Sequence, residues 1–177
     1  MSPAREIFVP QRIISGGQTG VDRGALDAAA NLGIAHGGWC PRGRIAEDGV
    51  IPDRYELWEH DSAQYSARTL QNVVDSDATL ILYADRLQGG TKLTLRYVKE
   101  QSKPHFTVRL GDEELDLRPV RDWLSREKPE VLNIAGPRGS NFPGIEEASK
   151  AYLLGVFGEM GSSGSSIRLD WGDLSGD

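Results

Sequence analysis

Four short stretches of this chain each carry or lead into a loop dense in glycine and arginine: Ser15-Gly16-Gly17-Gln18-Thr19-Gly20, Cys40-Pro41-Arg42-Gly43-Arg44, Ala84 to Gly89-Gly90-Thr91, and Gly136-Pro137-Arg138-Gly139-Ser140. A short apolar run, a glycine turn and a helical segment make the repeating unit of a parallel sheet, whose neighbouring strands need a crossover that a helix supplies. The pattern predicts an α/β fold: a Rossmann-like, open, mainly parallel sheet with helices on both faces. Every strand-to-helix loop of such a sheet emerges at the same carboxyl edge, so loops far apart in sequence meet in space.

The elements expected from periodicity are these. Arg12 to Ser15 reads as a strand, and apolar residues at 21, 25, 28, 29 and 32 follow as a helix that Gly33 ends. Ile34 to Cys40 reads as a second strand, and Pro41 to about Arg54 as a polar loop without regular structure. Leu57-Trp58 adds a short strand, and Asp61 or Ser62 caps a helix carrying Tyr65, Leu70, Val73 and Val74. Ala78 to Tyr83 is the clearest buried strand. A helix from Thr91 to about Glu100, a strand from His105 to Leu110 and a short helix at Val120, Trp123 and Leu124 come next. Val131 to Ala135 is the last strand, before a helix with Ile145, Ala148, Tyr152 and Val156 in phase.

Three of the four loops run into a helix start, where unpaired N–H groups and the positive dipole end favour phosphate or another oxyanion. Glycine lets the backbone approach such a group without a Cβ in the way. The candidate binding residues are therefore Gly16, Gly17, Gln18, Thr19 and Gly20 in the first loop and Gly89, Gly90 and Thr91 in the third. Gly43 of the second loop and Gly136, Pro137 and Ser140 of the fourth join them. Arg23, Arg42, Arg44, Lys92 and Arg138 form an expected cationic rim, since guanidinium grips phosphate oxygens through a planar fork. Asp22 and Cys40 complete the set. Asp22 reads first as a favourable charge in a first helical turn, and Glu47-Asp48-Gly49 as a solvated turn. Cys40 reads first as a small buried hydrophobe and second as a thiol made reactive by the arginines beside it.

At 177 residues with 38% hydrophobic and 26% charged side chains, the chain has the length and balance of one soluble domain. The expected division is one ligand-binding domain over 1–158 and a flexible, Gly/Ser-rich acidic tail over 159–177. A formal net charge of −6 disfavours nucleic acid and anionic membranes as partners. No apolar run approaches the ~20 residues of a membrane span, no secretory leader is visible, and the single cysteine fits a reducing cytoplasm. There is no G-x-x-x-x-G-K-[ST], no G-x-G-x-x-G and no H-E-x-x-H, and His36, His60 and His105 lack metal-ligand spacing.

Ile14-Ser15-Gly16-Gly17-Gln18-Thr19-Gly20-Val21-Asp22-Arg23, Gly38-Trp39-Cys40-Pro41-Arg42-Gly43-Arg44, Glu47-Asp48-Gly49, Ser76-Asp77, Gly89-Gly90-Thr91 and Ala135-Gly136-Pro137-Arg138 together resemble the family described as putative molybdenum-cofactor carrier proteins. That family lies in the SLOG superfamily of Rossmann-like proteins, with the lysine-decarboxylase-like cytokinin phosphoribohydrolases. Against the phosphoribohydrolase order, the Gly136-Pro137-Arg138 unit has moved from the start of the domain to its end, which implies circular permutation. The resemblance implies carriage or storage of molybdenum cofactor, a phosphorylated molybdopterin-type ligand, without turnover. It also implies exchange with molybdoenzymes or cofactor-synthesis proteins and self-association into a homo-oligomer. The carboxylates that the hydrolases place after their G-G-x-G-T are absent from Thr91-Lys92-Leu93-Thr94. A nucleotide-processing enzyme using Asp22 or Glu47, and a nucleotide sensor, remain the alternatives, each needing the same phosphate cradle.

Overall fold

The structure, a computed structural model, describes residues 6–158 and 164–171. β1 (Arg12–Ile14), α1 (Val21–Leu32) and β2 (Ala35–Gly37) open the fold. A long connection then carries β3 (Trp39–Cys40), β4 (Ile45–Ala46), β5 (Gly49–Val50) and β6 (Trp58–Glu59) before α2 (Tyr65–Asp75). β7 (Ala78–Tyr83), α3 (Gly89–Glu100), β8 (His105–Arg109), β9 (Glu114–Asp116), α4 (Arg118–Glu127), β10 (Val131–Ala135), α5 (Ile145–Phe157) and β11 (Ser166–Arg168) follow.

The main sheet has five strands in the order β2-β1-β10-β7-β8, and every neighbouring pair is parallel. β10 comes last of these in the chain but sits in the middle, with Leu132 opposite both Ile13 of β1 and Ala78 of β7. Counted from β10 as the first strand, the order reads 3-2-1-4-5, the doubly wound arrangement. That is what moving the first strand-helix unit to the end of the chain produces.

Alternation along the strands divides the two faces. Ile13, Leu80, Leu82, Leu132 and Ile134 join α1, α4 and α5 in one apolar cluster that includes Trp123, Tyr152 and Val156. Each fully buried aliphatic side chain there contributes about 1.5–3 kcal/mol. The opposite face lies under α2 and α3, which pack on each other, and it is partly polar: Thr79, Asn133, Thr94 and Asn72 are all buried. Asn133 Nδ2 donates to Thr79 Oγ1 at 3.3 Å, and the Asn72 side chain bonds both the N–H and the carbonyl of Trp39. α2 ends on a lysine: Lys103 Nζ donates to the carbonyls of Val73, Val74 and Ser76, the first of which also accepts from the N–H and hydroxyl of Ser76.

Several expectations need correction. The second strand does not run unbroken from Ile34 to Cys40, because Gly38 stands at φ 122° and turns the chain out of the sheet; β3 instead pairs with β6. The stretch from Pro41 to Arg54 contains the β4–β5 hairpin. α2 begins at Tyr65 without a side-chain cap, and α3 takes Gly89 and Gly90 into its first turn. β9 has no counterpart in the sequence reading. Within the stretch expected to be a flexible tail, β11 pairs antiparallel with β9, Leu169 is buried, and Trp171 packs edge-on against Phe142 with centroids 5.3 Å apart. Ile167, Leu169 and Trp171 form a period-2 apolar pattern that the glycine-serine run before it obscures.

A side chain at Gly38 would meet the backbone of Ser15, with its Cβ 2.3 Å from the carbonyl oxygen, whereas a Cβ at Gly33, also at positive φ, meets nothing within 4 Å. Gly38→Ala is expected to cost about 3 kcal/mol or more and Gly33→Ala about 1 kcal/mol, compared by urea unfolding midpoints.

Candidate functional site

A cleft of about 80 Å³ opens beyond the end of β10, between the loops after β1 and β10 and the first turns of α2 and α3; Gln18, Asp22, Arg68, Thr91 and Arg138 are among its walls. This is the place where the helix after β10 packs with α1 on one face and the helix after β7 packs with α2 on the other, the switch point at which open α/β sheets bind ligands. Beneath it lies a void of about 10 Å³ among Asn72, Asn133, Thr94 and Asp22, on the scale of one water molecule.

The loop after β1 is arranged around acceptors that the protein itself supplies. Asp22 turns back toward the glycines, where its Oδ2 accepts from Gln18 N at 3.2 Å and lies 3.4 Å from Arg68 Nη1. Gly16 leaves the space for that guanidinium, since a Cβ there would sit 1.8 Å from Arg68 Nη1. Thr19 N donates to Gln18 Oε1, Gly20 N to Glu146 Oε2 and Val21 N to the Pro137 carbonyl. In the loop leading into α1, expected to offer N–H groups to a phosphate, those of Gln18, Thr19, Gly20 and Val21 are thus taken by two carboxylates, an amide and a carbonyl. Burial pushes the Asp22 carboxyl above its ordinary value, and Arg68 opposes the shift.

The start of α3 is different. Thr91 N and Lys92 N turn back to the Gln88 carbonyl, no side chain caps the helix and no acidic residue lies in its first turn. A Cβ at Gly89 or Gly90 would meet nothing within 4 Å, and Gly90 and Thr91 line the cleft. This helix end presents its positive dipole to open space.

Two donors in the same cleft lack acceptors. Gln18 Oε1 accepts from Thr19 N and from Glu47 N, both at 3.0 Å, which fixes the amide and leaves Nε2 on its far side. Gln18 Nε2 and Arg68 Nε are buried without a partner, and both residues line the cleft; among the described residues the third such atom is Trp171 Nε1. Buried polar atoms are nearly always paired, so two orphaned donors in residues of one cleft wall call for acceptors from elsewhere. Arg138 adds charge at the rim, with its guanidinium 5.3 Å from the Tyr65 ring centre and 3.8 Å from Glu47 Oε2.

Other expected site residues are engaged elsewhere. Arg23 is buried, donates from Nε to the Gly17 carbonyl, and grips Asp48 with both terminal nitrogens at 2.6 and 2.8 Å. Arg44 fastens the long connection by donating to the carbonyls of Ile51, Pro52, Tyr55 and Leu57. Cys40 is fully buried with Leu26, Ile51, Tyr55 and Leu57, and burial pushes its thiol up, opposite to the lowering expected from adjacent arginines. Arg42 and Gly43 lie in the loop held by Arg42 N to the Ser62 carbonyl and Gly43 N to Glu59, apart from the cleft walls. Lys92 faces a groove on the outer side of α3. Glu47 and Asp48, read as a solvated turn, instead latch the β4–β5 hairpin. Glu47 accepts from Thr19 Oγ1, Ser140 Oγ and Ser140 N, and both carboxyls are held below their ordinary values by hydrogen bonds from these groups and from Arg23.

The sequence reading missed Arg68, Tyr65 and Thr69. Tyr65, Arg68, Thr69 and Asn72 recur at helical spacing, and a polar stripe on the inward face of a helix was the available signal.

Residues 13–157 match the circularly permutated YpsA SLOG family. The crystal structure of a protein from Syntrophus aciditrophicus SB, described as "Putative molybdenum carrier protein", superposes with a TM-score of 0.80 at 42% identity, over 86% of this chain and 97% of that one. No curated protein matches the chain.

The latch gives a pH dependence with a defined sign. Asp48 is held below its ordinary 3.8 by Arg23, so its stabilising contribution is complete above that value and is lost as pH falls through the depressed one. Asp22, whose carboxyl is raised, acts in the opposite direction. Asp48→Asn is expected to flatten the loss of stability below about pH 4, measured as urea midpoints against pH.

Proposed function

The chain belongs to the circularly permutated YpsA SLOG family, and on that premise we propose that it binds and carries a phosphorylated, anionic ligand of the molybdopterin type without transforming it. The observation that carries this reading is the pair of orphaned buried donors, Gln18 Nε2 and Arg68 Nε, on a cleft that also receives the open start of α3. Donors without acceptors select a ligand rich in oxygens, and leaving them unpaired costs about 1–3 kcal/mol each.

The fit is to part of such a ligand. A cleft of about 80 Å³ accepts an oxyanion head; a pterin ring system would extend across its mouth. Arg68, Arg138, Gln18 Nε2 and the backbone at Gly89 to Thr91 would hold the phosphate oxygens. Among the described residues no three His, Cys, Asp or Glu side chains are grouped to hold a metal ion, so in this reading the protein grips the oxygens and the cargo keeps its metal on its own sulfur atoms. The carrier works in the cytoplasm as a homo-oligomer and exchanges its cargo with molybdoenzymes or cofactor-synthesis proteins. The structural relative described as a molybdenum carrier supports the choice of cargo.

A second reading, hydrolysis of a nucleotide, is favoured by one feature: Asp22 places a carboxyl with a raised pKa in the cleft wall. Release of free base from nucleoside monophosphates, lost in Asp22→Asn, would support it.

Titration of the purified protein with molybdenum cofactor and with inorganic phosphate tests the carrier. Gln18→Glu keeps the acceptor that serves Thr19 N and Glu47 N but replaces the free donor with an anion. It is expected to weaken both ligands about tenfold or more. Affinity equal to that of the unaltered protein would remove the site, and no binding by either would remove the ligand class.

A further inference from the structure

Glu47 sits at the tip of the β4–β5 hairpin, yet its carboxylate is held by two other loops. Thr19 Oγ1 and Ser140 N donate to Oε1, Ser140 Oγ donates to Oε2, and Arg138 Nη1 lies 3.8 Å from Oε2. Two hydroxyls, a backbone N–H and a guanidinium converging on the oxygens of one centre are the donors that phosphate takes as readily as carboxylate. The element that delivers the carboxylate is slight. Its two strands have two residues each and pair with one another; Ala46 packs inward, but Ile45 is 39% and Val50 70% exposed. With so little buried apolar surface, the hairpin is held in place by polar contacts, those of Glu47 and the pair of Asp48 with buried Arg23. A second observation links this cluster to a ligand. Gln18, a residue of the cleft wall only 6% exposed, accepts the Glu47 N–H with Oε1 while its Nε2 is buried without a partner, so one amide joins the hairpin to the cleft wall.

We propose that Thr19, Arg138 and Ser140 form a second oxyanion subsite, continuous with the cleft through Arg138, and that Glu47 is its internal occupant. This rests on the reading of the cleft as an oxyanion site. A ligand with one phosphate fills the cleft and leaves the hairpin latched. A ligand with two separated anionic groups displaces Glu47 with the second, and the hairpin, left with Asp48 on Arg23 as its other latch, loosens. Glu47 therefore sets a threshold that favours doubly anionic ligands over free phosphate, because a tethered carboxylate competes with a single ion at all times and loses to a group already anchored next door.

Calorimetric titration with inorganic phosphate distinguishes the possibilities. The unaltered protein is expected to take one phosphate per chain, and Glu47→Ala to take a second, with affinity at least about tenfold above any further uptake by the unaltered protein. Adding Ser140→Ala to Glu47→Ala is expected to abolish the second site. A general effect of removing one negative charge would survive that change, and its survival would overturn the proposal. Equal stoichiometry and affinity in the unaltered protein and Glu47→Ala would overturn the subsite while leaving the cleft intact; absence of phosphate binding in both would overturn the cleft reading as well. Should Glu47→Ala fail to fold, amide exchange of the unaltered protein provides the readout. Saturating pyrophosphate, a probe with two linked anionic groups, is expected to speed exchange at Ile51, whose N–H bonds the Arg44 carbonyl across the base of the hairpin, and unchanged exchange there would count against displacement.

Discussion

β10 pairs in parallel with β1 on one side and β7 on the other, and the candidate site exists because of that double pairing. Without it, the loop after β1 and the start of α3 would belong to two separate strand-helix-strand units. With it, Gly136 leaves the end of β10 at the divergence of the two helix layers, so close that a Cβ would lie 2.2 Å from the Leu82 carbonyl. The Pro137 carbonyl then reaches Val21 N at the start of α1, and Arg138 reaches Glu47 and Tyr65. The apolar side of β10 secures this placement: Leu132 and Ile134 are fully buried against α1, α4 and α5. Its other side carries Asn133, which joins the polar layer under the cleft. One strand thus anchors the core with alternate residues and furnishes the floor of the site with the rest.

The division of labour among the glycine loops follows from what each helix start meets. Both α1 and α3 begin without a side-chain N-cap. The loop entering α1 is answered from within the fold, with Asp22, Gln18, Glu146 and Pro137 taking the N–H groups of Gln18 to Val21, and those four have no further call on an anion. α3 has no such answer. The glycines of the first loop serve closeness, making room for the Arg68 guanidinium, whereas those of the third leave the backbone open. Two loops that look alike as strings of residues differ because one is packed against charged neighbours and the other against space.

This contrast explains which parts were legible in the sequence. Strand and helix existence followed from short-range periodicity, so Ala78–Tyr83, Val131–Ala135 and the helix ending at Gly33 were readable, as was the permuted order once the loops were compared with the family. The convergence of Gln18, Gly90, Thr91, Pro137 and Arg138 on one cleft was also readable, because parallel strands dictate it. Residue roles within the cleft were not. Arg23 and Arg44 look like rim cations in sequence, but Asp48 and a row of backbone carbonyls claim them, and such pairings span separations that periodicity cannot address. Arg68 escaped notice for the same reason, lying mid-helix with its partner Asp22 far away in the chain. The hairpin of β4 and β5 carries exposed apolar residues and charged turn residues, the reverse of the usual strand pattern, and so reads as loop.

The position of β10 also bears on how the chain is made. A ribosome releases β1, β2, β7 and β8 first, and these can assemble only as two separate pairs, each with an uncovered inner strand edge. Both edges wait for Val131–Ala135 to leave the exit tunnel, and until then they are templates for association with other nascent chains. The permuted order therefore concentrates the risk of aggregation in the interval of synthesis before the final strand appears, a period in which a chaperone able to shield sheet edges would have the most to protect.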